Sequence, residues 1–154
     1  MSQNHNITIK PIAFVRNNRK TPIDDNWGTI ISEIELVDLL PIECFDGIEN
    51  FSHLEIIYYF HKSKKTILGS QHPRENIKFP KTGIFAQRKK DRPNHLGLCT
   101  VNLIKREGRV LFVSNFDAID QTPIIDIKPV LKEFLPKGEI KQANWTNEIM
   151  KNYW

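Results

Sequence analysis

The chain has 154 residues, of which 40% are hydrophobic and 26% charged, the composition of an ordinary globular domain with enough length to bury a core. No apolar run is long enough to span a bilayer and Met1 to Asn6 show no signal-peptide pattern, which argues against a membrane partner and for a cytoplasmic location. The formal net charge is +4 and the isoelectric point is near 9.1, so a polyanionic partner is compatible with the charge without being demanded by it.

The pattern from Ile7 to Val15 alternates and predicts a strand. Residues 16–28 are polar, with Pro22 and the Asp24-Asp25-Asn26 cluster, and read as a loop. Thr29 to Val37 is rich in β-branched residues and reads as a second strand. Asp38 to Gly47 reads as a short helix ended by its glycine. Ser52 to His61 carries Leu54, Ile56, Ile57, Tyr58, Tyr59 and Phe60 and predicts a long, mostly buried strand. Residues 62–81 form the longest irregular segment, a length usually kept for function or mobility. Gly83 to Ala86, Leu96 to Lys105, Val110 to Phe116 and Ile124 to Ile127 supply further strands, with Glu107-Gly108 as a hairpin turn. Val130 to Leu135 suits a helical turn. Trp145, Ile149 and Tyr153 recur at four-residue spacing and predict a short amphipathic helix in a tail over 136–154. About seven short strands argue for a β-barrel or sandwich in a single domain, 1–154. No Gly-x-Gly-x-x-Gly turn is present, so a Rossmann pocket is not expected. Cys44 and Cys99 lie in apolar stretches without metal-ligand spacing and read as small core residues, with no metal expected.

Two segments carry chemistry. In the first, the apolar run Gly83 to Ala86 gives way to Arg88, Lys89, Lys90, Asp91 and Arg92, and Pro93-Asn94 then turns the chain into Leu96-Gly97-Leu98. So dense a charge repels itself, and arginine is suited to planar anions. The bland alternative is a solvated basic tip between two strands. In the second, Asp120-Gln121-Thr122-Pro123 forms a turn ahead of Ile124, Ile125, Asp126, Ile127, Lys128 and Pro129. Asp126 and Lys128 share one face of that strand.

These segments resemble the TrmO/YaeB (TsaA-like) family of S-adenosylmethionine-dependent methyltransferases. The resemblance runs through Ile9 to Arg16, Gly47 to His61, Gly83 to Arg88, Arg92 to Leu98 and Asp120 to Pro129, in the family's order. It implies a mainly β fold, a small β-barrel with short peripheral helices, and a homodimer whose cofactor site involves both subunits. It implies S-adenosyl-L-methionine as cofactor, bound by Asn26, Trp27, Gly28, His61, Lys62, Arg88, Leu98, Asp120, Gln121, Thr122 and Pro123. The implied substrate is tRNA carrying N6-threonylcarbamoyladenosine beside the anticodon. The nucleophilic nitrogen is a poor one, so a base would help, and Asp126, His95 and Asp91 are the candidates. Lys89, Lys90, Arg92 and Lys128 are candidates for the anticodon-loop phosphates, and Tyr58 or Tyr59 for stacking on a base. The chain departs from the family at Gln121, where glycine is usual, at His95, where proline is usual, and at Val130, where tyrosine is frequent. Methylation of a different acceptor and non-catalytic RNA binding are the alternatives.

Overall fold

The computed structural model describes residues 5–154. Six strands close into an antiparallel barrel: β1 (Ala13–Arg16), β2 (Ile31–Leu36), β3 (His53–Tyr59), β6 (Leu96–Glu107), β7 (Val110–Ser114) and β8 (Pro123–Pro129). Around the barrel the order is β1-β2-β7-β6-β3-β8, with β8 returning to β1. A two-stranded ribbon, β4 (Ser70–Gln71) with β5 (Thr82–Gly83), stands outside it. The one α-helix among the described residues is α1 (Asn144–Ile149).

Alternation makes the core. Ala13 and Val15, Ile34 and Leu36, Leu54, Ile56 and Tyr58, Cys99 and Val101, Leu111 and Val113, and Ile124 all point inward and are buried together with Phe116. Side chains fill so small a barrel, leaving no channel. Tyr58 gains its inward place because Gly97 faces it: a Cβ on Gly97 would lie 2.4 Å from the Tyr58 Cζ atom. In β8 the register shifts by one residue between Tyr58 and Ile57 of the partner strand. Ile125 is the extra residue of this bulge. Ile124 and Ile127 therefore both reach the core although three apart, while Asp126 and Lys128 face out as their spacing predicts.

Several sequence expectations need correction. The first strand begins only at Ala13, because Ile7 and Ile9 meet no core and stay exposed. Gly83 to Ala86 is not a barrel strand. Gly83 ends β5 and residues 84–86 form a 3₁₀ turn, with Ile84 and Gln87 buried and Phe85 exposed, a spacing of three that suits a turn. The predicted helix before Gly47 is a 3₁₀ turn, Ile42–Phe45, and Gly47 at φ 80° opens a second one. Cys44 is exposed, since Phe45 takes the inward position on that turn, whereas Cys99 is buried. Tyr58 lies inside the barrel at 2% exposure and has no face to offer a base. The tail helix ends at Ile149, short of Tyr153, although Trp145, Ile149 and Tyr153 are all half-buried.

The antiparallel order sorts the connections. Three connections, residues 17–30, 115–122 and the longest of all, 60–95, leave the same end of the barrel. The opposite end has the 37–52 connection and the tight β6–β7 turn at Gly108. The tail starts at that opposite end after Pro129 and reaches the long-loop end by Asn152, whose carbonyl accepts from the Asn26 N–H at 2.9 Å.

Candidate functional site at the long-loop end of the barrel

The turn that precedes β8 is clipped to β1. Val15 N–H donates to the Thr122 carbonyl at 3.0 Å, and Gln121 N–H donates to the Val15 carbonyl at 2.7 Å. Thr122 is buried and its Oγ1 donates to the Ile119 carbonyl at 2.7 Å. Gln121 sits at φ 66°, the left-handed region that glycine occupies without strain. Asp120 accepts from the Asn17 N–H at 3.0 Å and pairs with Lys20 Nζ. Burial alone would raise the Asp120 carboxyl, but the bonds from Lys20 and the Asn17 N–H outweigh it and hold the group below the usual carboxylate range. Lys62 Nζ donates to the Lys20 carbonyl at 2.7 Å, which brings the 60–95 connection onto the same corner. His61 follows, its pKa lowered by burial and by Lys62, with Asp120 pulling the other way.

Trp27 is buried beneath Arg19, whose guanidinium carbon stands 4.2 Å from the ring centroid. Arg19 also donates to the carbonyls of Ile23, Asp25 and Asn26, so one side chain shapes the 23–28 loop. Arg74 locks that loop to the 60–95 connection through Asp25 at 2.8 Å. Arg88 donates to the Leu98 carbonyl on β6. Leu98 faces outward, in register with Ile57 of β3, which is in register with Asp126 of β8.

A further group completes this end. Tyr58 Oη donates to Asp117 Oδ1 at 2.6 Å, and Tyr153 Oη donates to Asp117 Oδ2. Burial first, and then the Asp117 charge, push both phenols well above the ordinary tyrosine range. Sequence reading missed Asp117 and Tyr153, as well as Arg19 and Lys20. An acid between Phe116 and Ala118 carries no spacing signal, and its partners lie 59 and 36 residues away.

The structure thus gathers Asn26, Trp27, Gly28, His61, Lys62, Arg88, Leu98, Asp120, Gln121, Thr122 and Pro123 at one end of the barrel. The other candidates are placed differently. Asp126 and Lys128 pair at 2.8 Å on the outer wall of β8, with side chains 42% and 62% exposed. The bond to Asp126 raises the Lys128 pKa. Asp91 is buried, and its Oδ1 accepts from Ser63 at 2.6 Å and Lys90 at 2.9 Å. His95 faces Tyr59 and places Nε2 2.9 Å from the Lys65 carbonyl, which fixes the proton on that nitrogen and leaves Nδ1 as acceptor.

The basic turn relieves its own repulsion. Lys89 donates to Gln71 at 3.0 Å, Lys90 pairs with Asp91, and Arg92 donates to the Gln87 carbonyl at 2.7 Å. Pro93 and Asn94 turn the chain, with Asn94 at φ 64°. Among the described residues no three His, Cys, Asp or Glu side chains converge as a metal ion would need, and no helix is long and apolar enough to cross a membrane.

Residues 13–134 match the family model described as the tRNA-methyltransferase O N-terminal domain. The chain belongs to the TrmO family. A relative from Methanothermobacter thermautotrophicus, named "Probable S-adenosyl-L-methionine-binding protein", is 37% identical over 130 residues, covering 82% of this chain and 92% of the relative. The human tRNA (adenine(37)-N6)-methyltransferase is 38% identical over 88 residues, which are 57% of this chain and 20% of the human protein. The crystal structure of TrmO from Pseudomonas aeruginosa superposes with a TM-score of 0.73 at 23% identity, over 91% of this chain and 63% of that one, and supports the barrel fold.

Proposed function

We propose that this member of the TrmO family is an S-adenosylmethionine-dependent methyltransferase of tRNA, and that it N6-methylates threonylcarbamoyladenosine beside the anticodon. The observation that carries the reading is the convergence, at one barrel end, of every segment that the family resemblance assigns to the cofactor. The residue types suit the ligand. Asp120 stays ionised to accept hydroxyl or ammonium protons, Arg88 offers a cation to a carboxylate, and Leu98 gives apolar wall and a backbone carbonyl. His61, Lys62, Asn26, Trp27, Gly28, Gln121, Thr122 and Pro123 form the rest of the rim.

When bound, the cofactor supplies an electrophilic methyl group on a sulfonium. The chain's task is to hold an acceptor nitrogen in line with that methyl and to take the proton it sheds. Of the three candidate bases, Asp126 suits the role best. It is exposed, faces outward in the same lateral row as Leu98, and lies two strands away, roughly 10 Å at the usual strand spacing. Asp91 already serves Ser63 and Lys90 and orders the basic loop, and His95 keeps only Nδ1. Lys128 beside Asp126 and the more exposed Lys90 are the best placed phosphate contacts. Lys89, 17% exposed and bonded to Gln71, and Arg92, bonded to the Gln87 carbonyl, are less accessible. Tyr59, 38% exposed, is the tyrosine available to stack. Exposed Leu98 and Phe85 near the site favour a homodimer in which a second copy covers them.

The test is transfer of labelled methyl to total tRNA with and without the threonylcarbamoyl modification. Label only on modified tRNA is expected. Label on unmodified tRNA or on another acceptor would replace the substrate, and steeply salt-dependent tRNA binding without transfer would leave an RNA-binding barrel.

A further inference from the structure

The tail lies beyond residues 13–134 that match the family model, yet it is fastened to the middle of the candidate site. Asn26 N–H donates to the Asn152 carbonyl at 2.9 Å and Trp27 N–H to the Tyr153 carbonyl at 2.8 Å. Gly28 is so close that a Cβ there would lie 2.7 Å from the Trp154 carbonyl carbon. Farther back, Trp145 packs on Phe79 with ring centroids 6.4 Å apart. At the end of this strap Tyr153 directs its phenol at Asp117, whose other oxygen is held by Tyr58 from inside the barrel.

The two phenols differ in what holds them. Tyr58 is 2% exposed, set edge-on against Phe60 and Phe116 and seated over Gly97, so its bond is part of the core. Tyr153 comes from the last residues of the strap, held by the two backbone bonds and one side-chain bond. Asp117 lies among the residues assigned to the cofactor. Tyr153, which bonds it, also accepts from the Trp27 N–H, Tyr58, which bonds its other oxygen, pairs with Gly97 beside Leu98, and Asp120 is three residues on. A half-buried carboxylate in that position, satisfied by a hydroxyl group that can leave, suits a ligand hydroxyl or ammonium group.

We infer that Asp117 is a cofactor-binding residue, the anionic anchor for a hydroxyl or ammonium group of the ligand, and that Tyr153 occupies this place in the free protein and is displaced on binding. The inference rests on the S-adenosylmethionine reading given above. It makes the strap a competitor for its own site. Apparent affinity is the intrinsic affinity reduced by the fraction of molecules with the phenol undocked, so a strap docked in nine molecules of ten weakens binding about tenfold. Tyr153→Phe keeps the ring and the backbone bonds but removes the competing hydroxyl.

The experiment is calorimetric titration of S-adenosylhomocysteine into the full chain, as wild type, Tyr153→Phe and Asp117→Asn, with amide exchange measured in parallel. Tyr153→Phe should bind more tightly, by up to about tenfold. Asp117→Asn should bind at least about tenfold more weakly, as the loss of a charge-assisted bond implies. Ligand should speed exchange of the Trp27 amide, as its bond to the Tyr153 carbonyl is released, while the Gln121 amide stays protected. If wild type binds but Tyr153→Phe binds equally or more weakly, Tyr153 is a wall of the pocket and the inference falls while the cofactor reading stands. If neither binds, both fall. Should Asp117→Asn fail to fold by circular dichroism, the Tyr153→Phe affinity and the exchange of Trp27 decide.

Discussion

Gly97→Ala should unfold the candidate site from within. The added Cβ would meet Tyr58 Cζ at 2.4 Å, Tyr58 Cε2 at 2.6 Å and Phe60 Cζ at 2.9 Å. The Tyr58 ring has nowhere to retreat, because Phe60 and Phe116 meet it edge-on at centroid distances of 5.2 and 5.3 Å. Overpacking a filled core costs about 1–3 kcal/mol. If the ring shifts, its bond to the Asp117 carboxylate goes as well, at about 1.5–3 kcal/mol for a bond to a charged group. The combined cost is about 2.5–6 kcal/mol, a fall in melting temperature of roughly 5–24 °C for a domain of this size. Urea and thermal melts of wild type, Gly97→Ala, Tyr58→Leu and the double variant read it as a cycle. With Tyr58→Leu in place, Gly97→Ala should cost less than about 1 kcal/mol, since alanine is the less entropically costly strand residue. An equal cost in both backgrounds would show that Gly97 is not there to admit Tyr58, and the account of how Asp117 is held would lose its support.

Lys20→Met should destabilise the fold at neutral pH and leave its stability less dependent on acid than that of wild type. Asp120 titrates below its ordinary value in the folded chain, so its contribution is complete above about pH 4 and is lost as pH falls through the lower folded value. Stability of wild type and variant measured from pH 7 to pH 2 should differ at the top of this range and converge at the bottom, and parallel curves would contradict the coupling. Lys90→Ala should weaken tRNA binding and lower the slope of log affinity against log salt by about one unit. Lys89→Ala should mainly loosen the loop it ties to Gln71, visible as faster proteolysis there, and identical salt slopes for wild type and Lys90→Ala would reduce the basic turn to a structural element. Light scattering should give twice the mass of the 18.0 kDa chain, and a fully active monomer would contradict the shared site.

The sequence determined the six barrel strands, because a half-buried strand must alternate and Val15, Ile34, Ile56, Val101 and Val113 do, but not their ends, nor that Gly83 to Ala86 is no barrel strand and Tyr58 points inward. It also determined the family, since the turn at Asp120 to Pro123 and the segment around Arg88 recur as short contiguous strings. Contiguity is what a sequence displays directly. Tertiary structure decided what lies between such strings. Barrel closure brings the 17–30, 60–95 and 115–122 connections to one end, and that closure depends on pairings across the whole chain. The bulge at Ile125, which turns Ile127 inward, depends on what β3 offers opposite it. The basic turn looks unpaired in sequence because Gln71 and the Gln87 carbonyl are reached only once the 60–95 connection folds on itself. Asp117 was silent for the same reason: its chemistry comes from two phenols, one from the core and one from the far end of the chain, and no local pattern records a contact made by closing so long a loop.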